Sequence, residues 1–336
     1  MFQIFKFQEL LPKSISNKKE WQLLWPFYLS KFLQSIFLLT VPYWVIYFNK
    51  LGLSFSQISI LASAHLLGII IFEIPTGALA DVLGRKLSVL MGIFLSSLLL
   101  SAIPFTNNFI VLLIIYFTWG VASSFITGAD EAWVVDYLKF KKHEWLIDNY
   151  YAKSYSLINL GVLLAPLIAG FLMIYFPIKL LWMAEGVAMF ISGFILLFFT
   201  KEYFSKGVSH QIAKQAVNQL VKSVKVSFSQ KFIFSLLLIT LFYGLVFAIS
   251  NLAWQAFLLE KNLSLPWFGY LYSLGAVLII TYPFYKKKLS SKLGNKINIL
   301  IIIAIIQFIL YLTIIFNSSI LLISLIFIII YNLAGF

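Results

Sequence analysis

Long apolar segments fill most of this chain, and they constrain its fold more than any other feature. Ten of them are long enough to span a membrane, and they lie near residues 21–48, 56–80, 86–104, 108–136, 150–175, 179–199, 232–258, 266–285, 297–316 and 320–336. A hydrocarbon core about 30 Å thick is crossed by about 20 helical residues. Strands of a membrane barrel would alternate apolar and polar residues, whereas runs such as 299–306 are apolar on all sides. The sequence therefore predicts an all-α membrane protein.

Charged residues are scarce and unevenly placed. They make up 11% of the 336 residues, which is too few for a water-soluble surface. If the N-terminus is cytoplasmic, nearly all lysine and arginine residues outside the helices lie on the cytoplasmic side, except Lys50, Lys179 and Lys261. The distribution of these basic residues therefore predicts this orientation in the cell (plasma) membrane. The net charge of +13 is interpreted as this topology signal together with contact with anionic membrane lipid, not as a nucleic-acid site.

A polar stretch divides the chain in two. Apolar residues recur on one helical face of this stretch and lysines lie on the other, which predicts an amphipathic helix on the cytoplasmic leaflet. We expect a cytoplasmic leader over 1–20, a six-helix bundle over 21–200, this linker over 201–231, and an incomplete four-helix bundle over 232–336.

The two halves resemble each other. The loop LADVLGRK over 79–86 aligns with LSSKLGNK over 289–296, at an offset of 210 residues. Parallel repeats of this kind indicate a two-domain transporter whose substrate site lies between the halves. Six spans precede the linker and four follow it, and the chain stops inside an apolar run at Phe336. We expect about two further helices beyond this point in the natural protein; a protein of ten spans is the alternative.

The most specific motif is the segment GALADVLGRK over 77–86, which resembles the signature of the major facilitator superfamily between its second and third helices. The resemblance implies the two-bundle fold of that family, with six helices plus at least four. In the family this cluster latches the cytoplasmic side in the outward-open state. The residues that the resemblance assigns to such a latch are Gly77, Asp81, Gly84, Arg85 and Asp136.

The side chains of these residues suit a cluster that connects neighbouring helices. Gly77 permits close helix approach, and Asp81 is placed to meet a helix N-terminus. Arg85 offers a forked donor to a carboxylate on a neighbouring helix, and Asp136 is our candidate partner. An ordinary charged turn is the alternative interpretation.

The fifth span resembles the antiporter signature of drug exporters, with alanine at two of its glycine positions. The residues that carry this resemblance are Gly161, Ala165, Pro166 and Gly170. Small residues on one helical face permit tight contact between helices, and a proline bends its helix. Generic small-residue packing is the alternative interpretation.

Four charged residues within the predicted spans are candidates for proton coupling and for the central cavity: Lys31, Glu73, Asp130 and Glu131. Ionisable groups inside a membrane are costly and usually face a wet cavity or one another. A carboxylate that is balanced between an apolar environment and a basic neighbour can load and release a proton. A fixed ion pair that holds the first bundle together is the alternative. For Glu185 we expect packing or an outward-facing edge.

Polar and aromatic residues on the same spans predict the substrate cavity. They are Tyr116, Trp119, Asn159, Trp254 and Gln255. The leading hypothesis is a proton-coupled exporter of hydrophobic small molecules that works by alternating access as a monomer. A proton-coupled symporter for nutrient uptake, or a transport-inactive membrane sensor or scaffold, are the alternatives. Cysteine is absent, the three histidines lie far apart, and no nucleophile-and-base arrangement occurs, so we expect no metal, no cofactor and no enzyme.

Overall fold

The structure is a computed structural model that describes residues 18–203 and 229–277, together with the positions 280, 305–310, 312–313, 319, 322–323 and 326. Helices and their connections make up this described part, and it contains no strand. Several predictions concern residues outside it: the leader, most of the amphipathic linker, the loop over 289–296 and most of the last two spans.

The first half of the chain forms eight α-helices within residues 18–203. They are α1 (Lys18–Ile36), α2 (Trp44–Lys50), α3 (Phe55–Leu83), α4 (Arg85–Ala102), α5 (Phe109–Thr127), α6 (Asp130–Phe140), α7 (Ile147–Leu172) and α8 (Lys179–Phe199). Two 3-10 turns, Ile103–Phe105 and Glu144–Leu146, lie after α4 and before α7. The described second half contains α9 (Lys231–Glu260) and a helix over 265–277.

Five helical segments of the described residues are long and apolar enough to cross a membrane. They are Phe55–Leu83, Arg85–Phe105, Phe109–Phe140, Glu144–Leu172 and Lys179–Phe199. Large apolar side chains are exposed on these segments, for example Leu66, Ile70 and Leu98. An exposed apolar surface of this extent is the surface that lipid covers. The prediction of an all-α membrane protein is therefore confirmed.

The first predicted span is interrupted, which differs from the continuous segment expected near 21–48. Helix α1 ends at Ile36 and α2 begins at Trp44. Pro42 lies in the interruption, and proline lacks a backbone N–H and disfavours helical conformation in the residue before it. The fourth span is also irregular, because Gly128 and Ala129 separate α5 from α6.

The ends of the bundle are distinguished by charge. We call the end at which α1, α4, α7 and α9 begin the basic end, because Lys18, Arg85, Lys86 and Lys139 lie there. The other end, at which α3, α5 and α8 begin, is called the opposite end. Short connections between successive spans keep the spans antiparallel. Helices α1 and α2 together form the first span, and α5 and α6 together form the fourth.

The two halves contact each other near the opposite end. Gln255 of α9 accepts a hydrogen bond from the backbone N–H of Val45 at 3.1 Å and donates one to the carbonyl oxygen of Val41 at 3.1 Å. The hydroxyl of Tyr43 accepts a hydrogen bond from the backbone N–H of Gly269 at 3.0 Å. One buried apolar cluster includes residues of both halves, among them Leu39 and Tyr43 with Trp254, Leu258 and Phe268.

Candidate transport site

A cavity of about 500 Å³ lies on the half of the molecule nearer the basic end. Helices α1, α6 and α7 supply its lining, which consists of Lys31, Glu131, Asp148, Tyr150, Tyr151, Ala152, Ser154, Tyr155 and Ile158. Tyr151 and Tyr155 are exposed, so the cavity is open to its surroundings. A volume of this size is in the range of small-molecule binding sites.

An ion pair lies beside the cavity, and its lysine belongs to the lining. The Nζ of Lys31 on α1 donates a hydrogen bond to Oδ2 of Asp130 at the start of α6. Both side chains are largely shielded from solvent, with exposed fractions of 21% and 13%. Two charges that the sequence predicted for the cavity therefore meet each other. Their pairing offsets the cost of holding either charge in the membrane.

Two carboxylates in the cavity have no such partner. Among the described residues, no basic side chain lies within ion-pair distance of Glu131 or Asp148. The hydroxyl of Tyr150 and that of Ser154 are buried in the cavity wall and have no hydrogen-bond partner among the described residues. The lining therefore combines negative charge and exposed aromatic rings, with two hydroxyl groups buried behind them.

The part of this lining that α7 supplies was not predicted from the sequence. A signal for it exists, because Asp148, Tyr151, Tyr155 and Ile158 recur at intervals of three and four residues. That spacing places side chains on one face of a helix. A polar and aromatic face on a membrane helix is the pattern that indicates these residues.

Other predicted cavity residues lie elsewhere. Glu73 is exposed on α3 and does not line the cavity, and Asn159 is half-buried on α7, next to the lining residue Ile158. Tyr116 is buried, and its ring contacts those of Phe48 and Trp119, with ring centroids 5.6 and 5.5 Å apart.

The two cavity residues predicted on α9 lie in the contact between the halves. Trp254 is buried there beside Phe268, with ring centroids 5.8 Å apart. Gln255 is fully buried, and both polar atoms of its amide are bonded to the backbone of the first half. In this arrangement of the halves, neither residue faces the cavity described above.

The signature loop brings three charged residues together. Nη1 of Arg85 lies 2.9 Å from Oδ2 of Asp136, and Nη2 lies 3.8 Å from Oδ1 of Asp81. Gly84 has φ of +104°, a conformation that favours glycine. The close approach expected at Gly77 is not seen among the described residues, because a Cβ atom built there would meet nothing within 4 Å.

A further contact of this loop was not predicted from the sequence. An oxygen of Glu202, which follows α8, accepts a hydrogen bond from the backbone N–H of Lys86 at 3.0 Å. In return, the Nζ of Lys86 donates to the carbonyl oxygens of Leu197 and Thr200 at 2.8 and 2.6 Å. Each helix end thus receives the charge that its dipole favours, a carboxylate at the start of α4 and an ammonium at the end of α8.

The small residues of α7 lie in tight helix contacts. A Cβ atom on Gly161 would overlap Ser35 of α1, and one on Gly170 would lie 2.8 Å from the carbonyl oxygen of Pro266. Ala165 is fully buried, and Pro166 approaches Gly269 of the second half through its carbonyl oxygen. This face of α7 therefore contacts both α1 and the helix over 265–277.

The described part of the chain contains helices long and apolar enough to cross a membrane, and a polar, charged cavity lies among α1, α6 and α7. This arrangement is that of a multi-pass membrane transporter. Residues 24–336 match the family model described as Major Facilitator Superfamily. The chain belongs to that superfamily, whose members are secondary transporters of small molecules and not enzymes.

Curated relatives agree with this assignment. The uncharacterized MFS-type transporter YxaM of Bacillus subtilis (strain 168) is 25% identical over 261 residues, which are 73% of this chain and 62% of YxaM. The multidrug resistance protein MdtG of Proteus mirabilis (strain HI4320) is 29% identical over 129 residues, or 38% of this chain and 31% of MdtG. The chain thus spans less than two thirds of the length of either relative.

Solved structures share the fold. A D-xylose-proton symporter has a TM-score of 0.64 at 15% identity, with 94% of this chain and 80% of that chain covered. The nucleoside transporter NupG has a TM-score of 0.70 at 15% identity, with 94% and 80% covered. A bacterial homologue of the lysosomal transporter Spinster, in an inward-facing and unoccupied conformation, has a TM-score of 0.68 at 16% identity, with 96% and 74% covered.

Proposed function

We propose that this secondary transporter exports hydrophobic compounds from the cytoplasm in exchange for protons, by alternating access and as a monomer. The basic end faces the cytoplasm in this proposal, because lysine and arginine residues concentrate on the cytoplasmic side of membrane proteins. The cavity then opens to the cytoplasm while the halves are packed together at the outer side. The observation that carries the proposal is the ion pair of Lys31 and Asp130 beside the unpaired carboxylate of Glu131.

The ion pair supports proton coupling. A proton that binds Asp130 removes its negative charge, and the ammonium of Lys31 then loses its partner in a largely buried place. Breaking a buried pair by neutralising one partner is costly, so the proton changes the balance between arrangements of the cavity. A cationic substrate that binds near Glu131 is attracted by the negative charge of this region, which a proton on Asp130 reduces, so substrate and proton oppose each other's binding.

The negative charge of the lining favours hydrophobic compounds that carry a positive charge. Glu131 and Asp148 supply negative charge, and the exposed rings of Tyr151 and Tyr155 supply apolar and π surface. An organic cation is attracted by both features, through Coulomb attraction and through cation–π contact. The resemblance of α7 to the antiporter signature and the similarity to MdtG, a multidrug resistance protein, support export as the direction.

Uptake of a polar nutrient with protons is the second candidate. The observation that favours it is the pair of buried hydroxyls, on Tyr150 and Ser154, that lack a partner among the described residues. Buried polar groups are nearly always hydrogen-bonded, so these hydroxyls suit a ligand that is rich in hydrogen-bonding groups.

The latch stays a prediction within this proposal. The contact of Arg85 with Asp136 joins the signature loop to α6, and its contact with Asp81 lies within the signature segment. These contacts lie within the first half and are present while the cavity is open towards the basic end. A latch that closes this end therefore requires, in this proposal, a further contact between the signature loop and the second half. The capping of α4 by Glu202 adds a contact between this loop and the segment that leads into the linker.

The proposal is tested in everted membrane vesicles that contain the protein and are energised to an acidic interior. Addition of a hydrophobic cation such as ethidium should partly collapse the pH gradient in vesicles with the wild-type protein. Asp130→Asn should abolish this response, because an amide at this position neither binds nor releases a proton. Glu144→Gln is the matched control, since Glu144 is an exposed carboxylate outside the cavity lining. A response in Asp130→Asn equal to that of the wild type would exclude Asp130 as the coupling residue.

A further inference from the structure

The interruption between α1 and α2 leaves backbone groups without helical partners. In a membrane such groups must find other hydrogen bonds, because no water is present to satisfy them. Here two polar side chains from different halves of the molecule bind residues of the interruption and of the first turn of α2. Glu185 of α8 binds Thr40, and Gln255 of α9 binds Val41 and Val45.

Glu185 belongs to the first half. Its Oε2 accepts hydrogen bonds from the hydroxyl of Thr40 at 2.7 Å and from the backbone N–H of Thr40 at 3.4 Å. Both residues are buried, and 5% of Glu185 is exposed. The sequence predicted packing or an outward-facing edge for this residue, and the structure shows packing.

Among the residues that the structure describes, no positive charge pairs with Glu185. From α5, Tyr116 lies near enough to interact electrostatically with this carboxylate, and from α2, Tyr47 interacts with Tyr116. From α4, Ser97 and Ser101 pack against the adjacent Gly186. No lysine, arginine or histidine of the described residues forms an ion pair with Glu185.

Gln255 brings the second half onto the same interruption. Gln255 is fully buried and donates a hydrogen bond to the carbonyl oxygen of Val41. Val41 directly follows Thr40, the residue that is hydrogen-bonded to Glu185. Trp254, Leu258 and Phe268 of the second half belong to the same apolar cluster as Leu39 and Tyr43. Parting of the halves at this end would therefore remove the cover from the interruption and admit water beside Glu185.

We propose that Glu185 is a proton-binding residue of a gate formed by the interruption at the opposite end. A buried carboxylate without a cationic partner is costly when ionised, and water relieves that cost. Glu185 therefore carries a proton when the halves are closed at this end and releases it when they part. The proton comes from the water at that end and returns to it, so Glu185 does not carry protons across the membrane with the substrate.

The inference rests on the alternating access of the proposed function, but it is independent of substrate and direction. If closure binds one proton, acid at this end favours the closed arrangement. The ratio of closed to open molecules then rises up to about tenfold for each unit decrease in pH, within the range where Glu185 titrates.

The test measures the separation of the halves directly. The chain has no cysteine, so two spin labels can be attached at Asn107→Cys and Ser264→Cys, which are exposed positions of the two halves near this end. Pulsed electron spin resonance on the purified protein then gives the closed fraction as a function of pH, without any substrate. We expect the closed fraction to rise with acid in the otherwise wild-type protein.

In Glu185→Gln we expect a large closed fraction that no longer depends on pH, because the amide still accepts from Thr40 and remains neutral. Glu144→Gln, the control, should keep the full pH dependence. Gln255→Ala should lower the closed fraction at every pH and keep its slope. Thr40→Val, a second variant in case Glu185→Gln does not fold, should shift the transition because Glu185 loses a donor.

A wild-type closed fraction that does not change with pH would overturn the inference, as would a pH dependence that survives unchanged in both Glu185→Gln and Thr40→Val. If the vesicle assay shows no proton exchange while Glu185→Gln abolishes the pH dependence of closure, the proposed function fails and the gate stands. If proton exchange is found and Glu185→Gln leaves the pH dependence of closure intact, the gate fails and the proposed function stands.

Discussion

The ion pair of Lys31 and Asp130 connects two helices and also offers a carboxylate that can bind a proton. The pair joins α1 to α6 beside the cavity, which Lys31 lines, and both side chains are mostly shielded from solvent. A partly buried pair adds little net stability compared with two apolar residues, yet removing one partner leaves an uncompensated charge. This asymmetry makes the pair suitable for a switch, because protonation of Asp130 is equivalent to removing one partner.

A double-mutant cycle tests this interaction in the folded protein. Lys31→Met and Asp130→Asn should each destabilise the protein by about 2 kcal/mol, because each leaves one buried charge unpaired. The double variant should recover most of this loss, since it leaves no unpaired charge. Unfolding in mixed detergent micelles measures the three free-energy differences, and strictly additive effects would contradict the coupling of the two side chains.

The positions of individual site residues were predictable where a charged side chain in a membrane helix needed an opposite charge nearby. Lys31 with Asp130, and Arg85 with Asp136, were predictable because an ionisable group in a membrane helix must face a partner or water. Tyr150 and Ser154 were not, because hydroxyl and aromatic residues are common on membrane helices and their periodicity alone does not separate cavity from core. The burial of Gln255 depends on how the two halves meet, which no local pattern encodes.

Among the helices, α3 and α5 come into direct backbone contact. A Cβ atom on Gly120 of α5 would overlap the carbonyl oxygen of His65 on α3, and one on Gly68 would overlap that of Phe117. The His65 ring also lies over Trp119, with ring centroids 4.4 Å apart. Small residues let membrane helices approach in this way, and dispersion contacts between the backbones then hold them together.

We therefore expect Gly120→Ala to separate α3 from α5 and to destabilise the protein by about 2–3 kcal/mol, as overpacking does in closely packed interiors. Gly128→Ala is the matched control, because a Cβ atom there would meet nothing within 4 Å of the described residues. Thermal unfolding in detergent compares the two variants. Equal midpoints for Gly120→Ala and the wild type would contradict the close contact.

The helices themselves were largely predictable, and their interruptions were not. Lengths of apolar sequence predicted α3, α4 and α8 to within about three residues, because lipid requires a fixed number of helical residues. The interruption between α1 and α2 was missed even though Pro42 lies in it. A hydropathy average over about 20 residues does not register a single proline. The polar groups of Thr40 and Val45 are hydrogen-bonded by Glu185 and Gln255, which lie more than a hundred residues away in sequence.

For the whole molecule, the position of the contacts between the halves determines which end is open. The halves are joined near the opposite end by Gln255, by Tyr43 and by a shared apolar cluster, while the cavity lies towards the basic end. With the basic end in the cytoplasm, this is the arrangement in which an exporter receives its substrate. In the proposed export cycle, the other arrangement of the halves breaks these contacts and releases the substrate outside.

The central claim is exchange of a hydrophobic cation for protons, and purified protein in proteoliposomes tests it most directly. An imposed pH gradient, acidic on the side from which protons enter, should drive ethidium against its concentration gradient towards that side. The same gradient should drive no such movement in Asp130→Asn, while Glu144→Gln should behave as the wild type. Accumulation that proceeds equally without a pH gradient, or that is unchanged in Asp130→Asn, would contradict proton exchange at this site.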